Sequence, residues 1–212
     1  MESMALVRLL EKYPDIEACR DEIVAAYDIM RESYANGGKA LFCGNGGSAS
    51  DSEHIVGELM KGFMSRRPVS EEERARWVEA YGEEGRYIAD HLQGGLPAIS
   101  LVSHTALLTA FINDVAADMM FAQQVYGYGK PGDVLVGLTT SGNSANVVRA
   151  VQVAKHRGLK TIGMTGRTGG KLASLCDVTI RVPKDSTPDV QERHLPIYHA
   201  ICIMLEEEFF GK

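Results

Sequence analysis

The stretch LFCGNGGSASDSEHIVGE, residues 41–58, decides how the rest of the chain is read. A short apolar run at 40–43 predicts a buried strand. It is followed by a Gly/Asn/Ser turn, and then by a polar helix start that carries His54 and Glu58. A strand, glycine loop and helix in this order present backbone N–H groups and a helix N-terminus to an anion. Residues four apart share a helix face, so His54 and Glu58 reach one point just beyond the loop. An anion cradle beside an imidazole and a carboxylate points to chemistry on a phosphorylated small molecule.

Working outward, further short apolar runs at 97–101, 134–138, 160–164 and 178–181 read as strands separated by helical stretches. That alternation predicts an α/β fold: a three-layer, doubly wound sheet of about five parallel strands, covered on both faces. Ligands of such sheets bind at the loops beyond the strand C-termini. Residues 4–34 read as amphipathic helix interrupted near Pro14-Asp15, and segment 1–36 is assigned to packing on a partner subunit or on its own sheet. Residues 62–95 form a charged insertion with the single tryptophan, Trp77. Its run Ser70-Glu71-Glu72-Glu73 has the form of a helix N-cap with an acidic first turn. The insertion reads as a solvated helical segment, with a lid or oligomer contact as the sharper alternative. The whole chain, 1–212, is read as one domain.

The second loop, Thr139-Thr140-Ser141-Gly142-Asn143-Ser144-Ala145-Asn146, follows the apolar strand VLVGL and precedes VVRAVQVAKHRG, which has helical periodicity. It carries no Lys, so it is not a Walker loop. Hydroxyls, N–H groups and a helix dipole still suit a phosphate monoester. Near the C-terminus, Gln191, Glu192, His194 and His199 are all candidates for a site. On a regular helix Glu192 and His199 share a face and Gln191 is rotated by roughly 80° from His199, so spacing leaves the choice open. Pro196 is expected to break this helix. Asn113-Asp114, after an apolar helical stretch, is a third polar point.

With 45% hydrophobic and 24% charged residues the composition is that of a soluble globular protein. A net charge of −6 and the lack of any basic block argue against nucleic acid or an anionic membrane as partner. The four cysteines form no CxxC, and the N-terminal residues lack a signal-peptide pattern. A cytoplasmic location is expected.

The GNGGS loop, the HxxxE that follows it, the TSGNSANV loop and the QExHxxxxH segment together resemble the phosphoheptose isomerases of the sugar isomerase (SIS) domain superfamily, over residues 20 to 210. The resemblance implies a flavodoxin-like SIS fold. It also implies one divalent metal per subunit, usually zinc, held by His54, Glu58, Gln191 and His199. Gln191 is thereby preferred over Glu192, and His199 over His194. Substrate contacts carry over to Asn45, Gly46, Gly47, Ser48, Glu58, Asn113, Asp114, Thr139, Thr140, Ser141, Ser144 and Gln191. Glu58 and His199 would be the catalytic pair, and the enzyme a homotetramer with sites at subunit interfaces.

What the resemblance implies is an aldose–ketose isomerase that converts sedoheptulose 7-phosphate to D-glycero-D-manno-heptose 7-phosphate through an enediol, for heptose-containing surface glycans. Two alternatives stand beside it: isomerisation of another sugar phosphate, and a non-catalytic SIS adaptor or regulator such as a DnaA-binding protein. A pure adaptor has no need of His54, Glu58, Gln191 and His199 together. The chain departs from the family pattern in its long insertion, in Asp189, which stands near a place where the family often has a basic residue, and in Pro196.

Overall fold

The computed structural model describes residues 3–211. Helix α1 (Met4–Lys12), a 3-10 segment (Pro14–Cys19) and α2 (Arg20–Ala35) precede the first strand, β1 (Ala40–Cys43). The chain continues through α3 (Gly47–Met60), α4 (Glu71–His91), β2 (Ala98–Ser100), α5 (Thr105–Asp114), α6 (Met120–Tyr128) and β3 (Val134–Leu138). It ends with α7 (Ala145–His156), β4 (Lys160–Thr165), α8 (Leu172–Leu175), β5 (Val178–Arg181) and α9 (Thr187–Phe210). The five strands form one parallel sheet in the order β2-β1-β3-β4-β5. The expected doubly wound sheet is therefore present, with its strands within two residues of the expected bounds.

Strand alternation sends side chains to opposite faces, and both faces are covered. Phe42, Val136, Ile162, Met164 and Ile180 pack with residues of α1, α2 and α9 in one core cluster. Leu41, Cys43 and Leu135 pack against Val147, Val151, Phe121 and Leu172 in the other. This covering explains why the strands read as continuous apolar runs.

Strand order also fixes where a ligand goes. From β1 the chain moves outward to β2, then returns past β1 to build β3, β4 and β5. The connections after β1 and after β3 therefore leave in opposite directions, opening a crevice between them. The GNGGS loop follows β1, and the Thr139–Ser144 loop follows β3.

Two elements differ from or refine the expectation. Helix α9 is unbroken through Pro196, correcting the predicted break. Val190, His194, Ile197, Tyr198 and Ile201 are buried along its length, so tertiary packing outweighs the one backbone bond that proline removes. Residues 71–91 fold back on themselves at Gly82, whose φ of 59° is costly for any residue with a Cβ. Arg74 and Asp90 form an ion pair across the turn, and a Pro68–Gln93 bridge closes the base. Only Gly85 and Ala89 of this helical hairpin are buried.

Candidate active site

Three helix N-termini converge on the crevice. The start of α3 brings Gly46, Gly47 and Ser48. The cap of α7 brings Ser144, and the first turns of α9 bring Thr187 and Gln191. With Asn45, Leu138, Thr139, Thr140 and Ser141 they line a cleft of about 350 Å³. No Lys or Arg is among these lining residues, so attraction for an anion rests on N–H groups, hydroxyls and helix dipoles. Thr139 Oγ1 lies 2.8 Å from Ser144 Oγ, which explains why Ser144 does not cap its own helix by side chain. Gly47 adjoins the Gln191 amide: a Cβ there would stand 2.5 Å from Gln191 Nε2, so that side chain would have to move aside.

The two loops are clasped by a reciprocal amide pair. Asn45 Nδ2 donates to Asn146 Oδ1 at 3.0 Å, and Asn146 Nδ2 donates to Asn45 Oδ1 at 2.9 Å. Asn146 Oδ1 also accepts from the backbone N–H of Val147. Asn146 closes the second loop as read from the sequence but was given no role there, because its role is a contact across 101 positions, and α7 in fact starts at Ala145.

Further along α3 and α9 lies the acid–base cluster. His54 Nε2 is 3.2 Å from Glu58 Oε1, and Lys61 Nζ donates to Glu58 Oε2 at 3.0 Å. The rings of His54 and His199 meet edge to face, 5.0 Å between centroids. His199 is half-buried. Burial, and then the neighbouring His54, hold its pKa below the ordinary imidazole value, against the opposing pull of Glu58. Its Nε2 is buried and has no hydrogen-bond partner among the described residues. His54 also has Tyr198 Oη 3.0 Å from its Nδ1, and Tyr198 donates to Asp51 at 3.1 Å. Asp51 and Tyr198 carried no signal of their own in the sequence beyond the i, i+3 spacing of Asp51 and His54.

His194 is a core residue. It is fully buried, with Nε2 3.3 Å from the Thr165 carbonyl, and burial pushes its pKa down to about 4. Glu192 lines an outer groove with Leu195, Pro196 and His199, as helical spacing requires, whereas Gln191 turns to the cleft. Asn113 and Asp114 are not among the cleft's lining residues. They end α5 in exposed positions, with Asn113 Nδ2 donating to Asp114 Oδ1 at 2.8 Å.

A buried clamp holds this cluster from behind. Arg67 is inaccessible to solvent. Its Nη1 and Nη2 donate to the carbonyls of Leu59 and Glu58, at 2.7 and 3.0 Å, ending α3. Its Nε donates to Glu206 Oε1 at 2.8 Å, and Glu206 accepts the backbone N–H groups of Phe63, Met64 and Ser65. Burial alone would raise the Glu206 carboxyl, but these N–H groups and the guanidinium hold its pKa below the usual carboxylate value.

A SIS domain family model matches residues 6–89 and 88–166. The phosphoheptose isomerase of Rhodospirillum rubrum is 40% identical over 189 residues, covering 89% of this chain and 87% of that protein. That of Geotalea daltonii is 41% identical over 192 residues, covering 90% and 86%. The chain belongs to the phosphoheptose isomerase family of SIS domain proteins. Solved structures agree with that membership. The phosphoheptose isomerase from Neisseria gonorrhoeae superposes with a TM-score of 0.74 at 35% identity, covering 95% of this chain and 93% of that one. The one from Francisella tularensis gives 0.76 at 31%, covering 95% and 92%. Among the described residues no helix is long and apolar enough to cross a membrane.

Proposed function

We propose that this phosphoheptose isomerase family member interconverts sedoheptulose 7-phosphate and D-glycero-D-manno-heptose 7-phosphate through an enediol, in the cytoplasm, for heptose-containing glycans. The observation that carries the reading is that His54 of α3 touches both Glu58 and His199, the latter from the far end of the chain, further along the same two helices whose N-termini help build the cleft. The cleft, through Asn45, Gly46, Gly47, Ser48, Thr139, Thr140, Ser141 and Ser144, holds the phosphate. Ser48 and Glu58 are ten residues apart on α3, ~15 Å along its axis. A long open-chain sugar phosphate suits that separation better than a short one.

Glu58 acts as the base at C1 of the ketose. His199 serves the oxygens at C1 and C2, and return of a proton to C2 gives the aldose. The side chains also suit a divalent cation, for which we propose zinc. His54 Nε2 faces Glu58 Oε1, and His199 Nε2 is buried without a partner among the described residues; imidazole and carboxylate are zinc donors. Among the described residues no three His, Cys, Asp or Glu side chains already form a cluster able to hold a metal ion. The proposed fourth donor is the amide of Gln191. When bound, the metal would polarise a carbonyl or hydroxyl oxygen of the sugar.

A homotetramer with sites at subunit interfaces belongs to the same proposal. No residue of α5 is buried, and Leu107, Ile112 and the following Val115 are 40%, 44% and 66% exposed, an apolar face that suits a second copy. Such packing would bring Asn113 and Asp114 toward a neighbouring subunit's cleft. Sedimentation of a Leu107→Glu/Ile112→Glu variant is expected to show smaller species than the wild type; an unchanged assembly would remove α5 from the interface.

The reaction is tested with a panel of five- to seven-carbon ketose phosphates, with zinc restored after chelation. Turnover is expected to be fastest on sedoheptulose 7-phosphate and to depend on added metal. Turnover only on a shorter sugar would reassign the substrate. No turnover on any, with capture of a protein partner, would favour an adaptor.

A further inference from the structure

Asp51 and His54 stand three residues apart on α3, and Tyr198 of α9 lies across them. Tyr198 is 2% exposed, and its ring packs edge to face on both imidazoles, at 5.6 Å from His54 and 5.0 Å from His199. Its Oη sits 3.0 Å from His54 Nδ1 and 3.1 Å from Asp51 Oδ1. On the far side of the same ring, His54 Nε2 points at Glu58 Oε1.

Counting protons assigns the two bonds behind His54. An ionised carboxylate only accepts, and a phenol has one hydrogen to give. Tyr198 therefore donates to Asp51, and its oxygen can only accept from His54. The proton of a neutral His54 must then sit on Nδ1, which leaves on Nε2 a lone pair facing the acceptor Glu58 Oε1, a meeting of two acceptors that a cation or a second ring proton satisfies. We propose that Asp51 and Tyr198 are positioning residues, which hold the proton of neutral His54 on Nδ1 and so leave Nε2, beside Glu58, as the nitrogen free to take a cation at the reaction centre. The oxygen that orients an imidazole from behind sets which nitrogen is free to bind a cation in front. Here the orienting carboxylate acts through an intervening phenol. The consequence for turnover rests on the isomerase reading; the tautomer does not.

The test is nitrogen-15 NMR of the histidine rings in the purified protein, at a pH well above the imidazole range. His54 is assigned by the loss of its signals in His54→Gln. Wild-type His54 is expected to show a protonated Nδ1 and a bare Nε2. Asp51→Ala removes the acceptor, so the Tyr198 proton can turn to Nδ1 and the ring proton is expected to move to Nε2. Tyr198→Phe keeps the buried ring but releases the tautomer, giving a mixture. Zinc affinity by chelator competition is expected to fall ~10- to 100-fold in both variants, and kcat by a similar factor with KM for the sugar phosphate nearly unchanged. A wild-type proton on Nε2 would overturn the proposal. So would the wild-type tautomer and zinc affinity persisting in Asp51→Ala, which decides the matter alone if Tyr198→Phe fails to fold. Should the wild type not isomerise the heptose phosphate, the tautomer and zinc results still stand and only the isomerase reading falls.

Discussion

Glu58→Gln is expected to lower kcat on sedoheptulose 7-phosphate by ~10²- to 10⁴-fold, the range for removing a positioned acid or base. At about 1.4 kcal/mol per decade, the loss corresponds to roughly 3–5 kcal/mol of transition-state stabilisation. The amide has nearly the same shape and retains an oxygen toward His54, but it cannot take a proton from carbon. KM should change much less, because the phosphate cleft is lined by other residues. Exchange of the C1 hydrogen with deuterated solvent gives an independent reading of the same step. In the wild type it should accompany turnover; in Glu58→Gln it should vanish with it. Persistence of exchange in the variant would move the base elsewhere in the cluster. His199→Ala is expected to retain more exchange than Glu58→Gln while losing product, since its part is to serve the oxygens.

Arg67→Ala is expected to be the most damaging substitution for stability, by ~3–5 kcal/mol, because it strands the buried carboxylate of Glu206. Two carbonyls at the end of α3 would also lose their donors, those of Glu58 and Leu59. The residue that ends the helix is thus tied directly to the backbone of the proposed base. Urea unfolding should show the loss as a lower midpoint at similar slope. The double variant Arg67→Met/Glu206→Leu separates the charge from the packing. It is expected to recover only the share due to the unpaired charge, because the N–H groups of Phe63, Met64 and Ser65 then lose their acceptor as well. Activity should not recover with it, since no donor then holds the end of α3. Equal loss in the single and double variants would argue that shape, and not the unpaired charge, dominates.

Much of the fold was legible from local pattern. Strands buried on both faces must be apolar throughout, and the runs at 40–43, 134–138 and 178–181 coincide with β1, β3 and β5. The N-terminal helices broke at Pro14, as proline at the first turn of a new segment requires. Pro196 misled, because the local rule concerns one hydrogen bond, whereas α9 is held by side chains buried along its whole length. The hairpin at 71–91 was legible as helix but not as a turn. Of the two glycines inside that helical pattern only Gly82 has a positive φ, and nothing in the pattern announces it.

The site divides along the same line. Residues 41–58 by themselves determined a strand, a glycine loop and a helix face carrying His54 and Glu58, because those properties follow from spacing of 2.0 and 3.6 residues. Resemblance to a family, carried by motifs, named Gln191 and His199. Only the tertiary structure brought His199 to 5.0 Å from His54 and turned Gln191 into the cleft. It alone clasped Asn45 to Asn146 and set Tyr198 between Asp51 and His54. The burial of Arg67 against Glu206 belongs to the same class. Each of these contacts joins residues some 100 or more positions apart. Periodicity along the chain reports which face a residue occupies; it carries no information about which distant residue will be packed against that face.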